Sequence, residues 1–293
     1  MGGFPSEFEL STDARDHLID AFQKFVLGLI LTFTLFPIFM MIATSLKSES
    51  ELYRDGLHLL PSTLNVQNYV DMWARFDLVG FFLNSLIIAG TTTVICLTVG
   101  SLAAYAFSRY EFPGKGLFGL TILSTQMIPG VLILIPIFIL YITVQREFGV
   151  PMINTYHGII FIYSTFTVPF AIWMLRGYFD TIPAALEDAA RIDGCTRLQA
   201  LYRIVLPLAM PGIAATGMFV FIIAFNEVLF ASAFANDGVT PFAIGIQKFQ
   251  TSTGTHWTEM MAAATVSSVP LLLIFGLFQK QIVSGLTAGS VKQ

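Results

Sequence analysis

Long runs without an acidic or basic side chain dominate the pattern of this chain. Asp, Glu, Lys and Arg are absent from Phe25 to Leu46, Leu78 to Ser108, Gly116 to Gln145 and Phe148 to Leu175. They are absent again from Ile204 to Asn226 and Met260 to Gln279, so the runs are 20 to 31 residues long. A helix needs about 20 apolar residues to cross a hydrocarbon layer of ~30 Å. The pattern therefore predicts six membrane-spanning segments, at residues 23–46, 82–106, 117–142, 157–175, 212–234 and 262–280. Helices are expected because the backbone groups of an open sheet would go unpaired in lipid. Pro37, Pro129, Pro136, Pro169 and Pro270 fall inside these runs, where neighbouring helices tolerate kinks. The connections 47–81, 107–116, 143–156, 176–211 and 235–261 include no linker long enough to mark a second domain, and no repeat is visible.

An even number of crossings puts both termini on one side. Ten basic residues fall on that side (Arg15, Lys24, Arg109, Lys115, Arg176, Arg191, Arg197, Arg203, Lys280 and Lys292) and five on the other (Lys47, Arg54, Arg75, Arg146 and Lys248). Basic loops stay in the cytoplasm, so both termini are expected there. The 176–211 loop, with four of the ten, decides it.

Composition sharpens this. Only 12% of the 293 residues are charged and 55% are hydrophobic, against about 25% charge in soluble domains. Soluble, fibrous and disordered classes are excluded, leaving an all-α integral membrane protein. A net charge of −4 without a dense Lys/Arg run does not suit nucleic acid. Cys96 and Cys195 make no disulfide framework, and His17, His58, His157 and His256 lack metal-ligand spacing. The polar, acidic start is unlike a cleavable signal peptide, so the first span is expected to be an uncleaved anchor. The reading divides the chain into a cytoplasmic tail (1–22), a six-helix domain (23–283) and a second cytoplasmic tail (284–293).

The 176–211 loop is the most informative stretch. Pro183 suits a helix's first turn, and Glu187 and Asp188 suit its positive end. Ile182, Leu186, Ala189 and Ala190 predict one apolar stripe. Gly194 is placed to end that helix in a left-handed conformation. Thr196 and Gln199 form a T-x-x-Q capping box opening a second helix, which Pro207 should break or bend. Alanines on an exposed helix let another surface approach closely, which suits a partner protein. A surface helix resting on lipid headgroups is the alternative.

The spacing Asp188-Ala189-Ala190, three residues, Gly194, nine residues, Ile204-x-Leu206-Pro207 resembles the E-A-A-x3-G-x9-I-x-L-P signature of ABC importer membrane subunits. Asp188 replaces the family's Glu, keeping charge but shortening reach, and Glu187 precedes it. The run Leu60 to Tyr69, Asn84-Ser85-Leu86, Ala103 to Arg109, Asn226-Glu227 and Ser284 to Lys292 extend the likeness to carbohydrate permeases of the MalG type over most of 25–293. The resemblance implies the type I ABC importer permease fold in a prokaryotic cytoplasmic membrane. It also implies that the first loop helix couples to an ATP-hydrolysing subunit through Glu187, Asp188, Ala189, Ala190, Arg191, Asp193 and Gly194, followed by Ile204, Leu206 and Pro207. Partners implied are a second homologous permease, two ATPase subunits and an extracytoplasmic sugar-binding protein, with the tail 284–293 reaching the ATPases.

The chain contains no G-x-x-x-x-G-K-[ST] loop, nucleophile elbow or HExxH. It is expected to catalyse nothing and to carry no cofactor, with ATP and Mg on the partner. For the sugar path, Asn84, Tyr105, Gln126, Asn226 and Glu227 are candidates. Glu227 is the one ionisable residue well inside a predicted span, where a charge costs about 2.5–3.5 kcal/mol. It either faces a central cavity or clamps neighbouring helices. In the long outer loop, Thr253, Gly254 and Trp257 are candidates for contact with the binding protein. A stand-alone secondary transporter would carry several intramembrane carboxylates, and a membrane enzyme would need a clustered catalytic set.

Overall fold

The computed structural model describes residues 12–53, 58–236, 238–252 and 254–288. It divides into two compact units, one of residues up to 71 with 256–265, the other of 72–255 with 266–293.

In the first unit, α1 (Thr12–Ser45) carries apolar side chains around its circumference and buries none of its most apolar window. Its end is finished by the segment that follows. Beyond the short α2 (Glu49–Leu52), the Asn68 amide at the start of α3 (Asn68–Arg75) donates to the carbonyls of Ser45 and Lys47, each at 2.8 Å. The Asn65 N–H donates to Leu46 at 2.8 Å, and the hydroxyls of Ser45 and Tyr69 meet at 2.7 Å. A helix leaves its last four carbonyls unpaired. Asn65, Asn68 and Tyr69 of the Leu60–Tyr69 run thus close the end of α1. The Ser62 N–H donates to the Glu51 carboxylate at 2.7 Å and holds its pKa below the usual carboxylate range.

The second unit begins with α4 (Leu78–Arg109), α5 (Lys115–Thr125), α6 (Gly130–Phe148) and α7 (Tyr156–Asp180). The loop elements α8 (Ala184–Ile192) and α9 (Arg197–Ala200) lead through a π-turn (Leu201–Val205) to α10 (Leu206–Leu208) and α11 (Met210–Phe225). Then come α12 (Leu229–Phe234), α13 (Phe242–Gly245) and a two-stranded antiparallel hairpin, β1 (Gln250–Thr251) with β2 (Gly254–Thr255). The last helix, α14 (Trp257–Ala288), continues into the predicted polar tail.

Helices α4, α7 and α11 form the packed centre of this unit. Without a hydrophobic drive between helices in lipid, close approach of small residues holds them together. A Cβ on Gly100 of α4 would lie 3.1 Å from the Cβ of Ala171 on α7. On Gly212 of α11 it would lie 2.3 Å from the Tyr178 ring of α7. Ile88, Ile159, Ile162, Tyr163 and Phe234 fill one end of the unit, and Ala104, Leu175, Phe179, Leu201 and Val205 the other.

Two predicted spans are not continuous helices. The run 117–142 breaks between α5 and α6, because Pro129 (φ −59°, ψ 126°) lacks an N–H and disfavours helix at the residue before it. The run 212–234 breaks between α11 and α12 at Asn226–Val228. Pro37, Pro136, Pro169 and Pro270 remain inside their helices. Among the described residues, four helices are long and apolar enough to cross a membrane: Ile19–Ser45, Leu78–Arg109, Gly130–Phe148 and Tyr156–Asp180. A fifth arises if 197–208 and 210–225, bent by 79°, count as one span.

Candidate functional site

Local chemistry builds most of the 181–209 segment as its sequence predicts, with a displaced bend and one inversion. Gly194 adopts φ +91°, ending α8 in a conformation that side-chain-bearing residues rarely take. The Thr196 hydroxyl accepts from the Gln199 N–H at 3.3 Å, and the Gln199 side chain accepts from the Thr196 N–H at 2.8 Å, completing the capping box. Pro207 does not break the helix where it stands. The turn before it widens to π geometry, with the Leu206 N–H reaching the Leu201 carbonyl, and the sharp bend falls at Ala209 just before Pro211. Pro207 lacks the N–H that would bond the Arg203 carbonyl, and its ring would crowd that carbonyl. A wider turn relieves both problems.

The inversion concerns which face of α8 turns inward. The predicted stripe splits, with Ile182 and Ala190 buried and Leu186 and Ala189 exposed. Glu187 occupies the inner face, its side chain 7% exposed beside an Asp188 at 67%. One Glu187 oxygen accepts from the Tyr105 hydroxyl at 2.8 Å and the other pairs with Nε of Arg109. Arg109 also donates to the Ile182 carbonyl at 2.8 Å and the Ser108 hydroxyl at 3.0 Å. Arg197 of α9 lies over the Tyr110 ring at 4.9 Å. A buried ion pair is tolerated only when its remaining donors and acceptors are satisfied, and each charge here has at least two partners. Arg109 stands in the last turn of α4 and Glu187 in the first turn of α8, so each also suits its helix dipole.

The outer face of this segment is apolar and uncovered. Ile192 is 87% exposed, with Leu186, Ala185 and Ala189 beside it on α8 and Leu198 and Tyr202 beyond the Gly194 turn. Asp188 and Arg191 form an exposed pair at 3.7 Å, worth little in water. Asp193 and Gly194 are exposed, Ile204 and Leu206 half-buried and Pro207 exposed.

The candidate path residues are scattered, and most are engaged locally. Asn84 donates to the carbonyls of Gly238 and Thr240 at 3.3 and 3.0 Å and accepts from the Tyr156 hydroxyl at 2.5 Å, pinning α4 to the connection before α13. Gln126 donates to the Phe166 carbonyl at 3.0 Å. Tyr105 belongs to the Glu187 cluster. Glu227 caps α12, its carboxylate accepting from the N–H groups of Phe230 and Ala231 at 3.0 to 3.1 Å, and its backbone carbonyl accepts from the Tyr163 hydroxyl of α7 at 3.4 Å. Asn226 is exposed on a groove of about 270 Å³ lined by Phe221, Phe225, Leu271 and Phe275. A wider apolar groove of about 500 Å³ runs along α11 past Leu86, Leu97, Ile213 and Phe221. Of the outer-loop candidates, Gly254 (φ +154°) sits in β2 and Trp257, partly exposed, opens α14. Thr253 lies outside the described residues.

Sequence reasoning missed Arg109 and Tyr156 as organising residues. The readable signal for Arg109 was Glu187, a charge five residues after Ile182 and three before Ala190 on an otherwise apolar side.

These features define a multi-pass helical membrane protein that presents an apolar helix on an ion-paired base. The family described as "binding-protein-dependent transport system inner membrane component" matches residues 96–287, and the chain belongs to that family. It is 36% identical over 269 residues (91% of this chain, 94% of the relative) to the inner membrane ABC transporter permease protein YcjP of Escherichia coli (strain K12). It is 37% identical over 265 residues (88% and 91%) to the trehalose/maltose transport system permease protein MalG of Thermococcus litoralis. Its fold matches a chain of a bacterial ABC transporter that imports the acidic polysaccharide alginate, with a TM-score of 0.76 at 22% identity over 93% of this chain and 98% of that one.

Proposed function

We propose that this chain is one of two transmembrane subunits of an ATP-driven carbohydrate importer. The observation that carries this reading is α8: a helix that carries the Asp188-Ala189-Ala190 and Gly194 positions of the importer signature, anchored by a buried ion pair at its base, with Leu186, Ala189 and the almost fully exposed Ile192 facing outward. An exposed apolar patch of this kind suits a protein partner. The partner is an ATPase subunit, which supplies ATP and Mg, and ATP-driven closure of two such subunits pulls α8. The relatives' names, several of them sugar permeases, support a carbohydrate as substrate.

Six spans, counting the broken pairs and α14, then cross a prokaryotic cytoplasmic membrane with both termini inside. The open apolar groove along α11 is half of a path that a second, homologous permease closes. A solved alginate ABC transporter of similar fold is in complex with a periplasmic protein bound to an alginate pentasaccharide, which supports a binding protein over the 235–261 loop, near Gly254 and Trp257. The assignment of the 284–293 tail to contact with the ATPase subunits rests on the family resemblance, and residues 289–293 lie outside the described residues.

The test is site-directed cross-linking in membranes from cells expressing the whole transport complex. A photoreactive side chain at Ala189 or Ile192 should capture the ATPase subunit, and one at the exposed Val94 on α4 should not. No adduct from either α8 position would refute the coupling role.

A further inference from the structure

Glu187 and Asp188 are adjacent acidic residues in the coupling segment, yet the structure separates them completely. Asp188 points outward and is available to a partner, whereas Glu187 points inward with a 7% exposed side chain. An acidic group meant for an approaching subunit would not be enclosed by its own chain. Its two oxygens are occupied by Tyr105 and Arg109, one helical turn apart at the end of α4. Of the two, Arg109 spreads its fork over Glu187, the Ile182 carbonyl at the entrance to α8, and Ser108. Ser108 in turn donates to Asp180, the last residue of α7. The apolar layer beneath, from Ala104 and Leu175 to Leu201 and Val205, is packed without charge.

We propose that Glu187 is a positioning residue that makes α8 a rigid extension of α4. Force applied to the outer face of α8 then enters the bundle through α4, beside which α7 is drawn along by the Gly100–Ala171 contact. Covalent connection alone would not do this. On its C-terminal side α8 ends in the single turn at the left-handed Gly194, and on its other side in the short turn of Thr181 to Pro183. The ion pair removes the freedom these joints would allow. Arg is needed rather than Lys because three donors must diverge from one planar group.

The inference rests on the importer reading, and the experiment separates the two. The complete complex, purified by a tag on this chain and reconstituted in liposomes with its binding protein and sugar, is assayed for uptake and ATP hydrolysis in the same vesicles. The measured quantity is sugar taken up per ATP hydrolysed, normalised to assembled complex. Absence of ATP-driven uptake in the wild type would overturn the importer reading and the inference with it. Given wild-type uptake, Glu187→Gln is expected to lower the ratio at least tenfold, and Arg109→Lys by an intermediate factor. A purely structural anchor would lower uptake and hydrolysis together and leave the ratio unchanged, which would overturn the proposal. Should Glu187→Gln fail to assemble, Tyr105→Phe keeps ring and ion pair while deleting one hydrogen bond. It should lower the ratio two- to fivefold, and an unchanged ratio there is equally fatal.

Discussion

Helices α1 and α7 are both long and apolar enough to cross a membrane, yet their surroundings are opposite. The most apolar window of α7 is 56% buried within the chain, whereas that of α1 is 0% buried. Apolarity does not distinguish them, since α1 is the more apolar of the two. Small and polar residues do. Where α7 meets α4, Ala171 lies against Gly100 and the Thr167 hydroxyl meets the Cys96 thiol at 2.9 Å, while Ser164 of α7 and Thr92 of α4 are also buried. Along its apolar length α1 offers Phe25, Leu29, Phe33 and Phe36, all exposed. Lipid tails are as apolar as leucine, so bulk apolarity assigns a helix to the membrane and interfacial shape assigns it a neighbour.

The largest effect is expected where a buried charge loses its partner. Arg109→Ala leaves Glu187 buried without its counter-charge, a change expected to cost about 3–5 kcal/mol. In detergent this should appear as a large fall in the thermal midpoint of the purified chain, and a midpoint close to wild type would contradict the buried ion pair. Next comes packing: Gly212→Val drives a side chain into the Tyr178 ring, with overpacking expected to cost about 1–3 kcal/mol. The same assay should register it, and an unaltered midpoint would mean that α7 and α11 do not approach so closely.

A smaller effect belongs to the end of α1. The carboxyl of Glu51 is held below its ordinary range by the Ser62 N–H, so it contributes stability where the unfolded chain is already ionised, above about pH 4.3. The contribution is lost as pH falls through the lower, folded value. Amide exchange at Ser62 and Asn65, corrected for intrinsic rate, should therefore rise on acidification below that range in the wild type. Glu51→Gln should remove the pH dependence. Smallest of all, Gly28→Leu on α1 has nothing within 4 Å to strike and should shift the midpoint within about 0.5 kcal/mol. A marked loss there would show that α1 has a close neighbour and would undo the contrast with α7.

Features that short-range chemistry sets could be read from the chain. Charge-free runs marked the apolar helices, because a charge in lipid is costly wherever the chain goes next. Gly194 and the Thr196–Gln199 box marked the turn after α8, because a left-handed residue and a reciprocal cap act within four positions of one another. The breaks at Pro129 and Asn226 were less visible, since a membrane helix tolerates proline when neighbours satisfy the freed groups, and α7 does so around Pro169. Which way Glu187 faces follows from the folded chain, because its partners Tyr105 and Arg109 lie 82 and 78 residues away. The same holds for Asn84, whose acceptors lie more than 150 residues along the chain. Glu227 mixes the two ranges: its carboxylate caps α12 within four residues, while its carbonyl accepts from Tyr163, 64 residues away. A polar group in lipid must be satisfied, and the chain alone states that requirement without stating which neighbour will meet it.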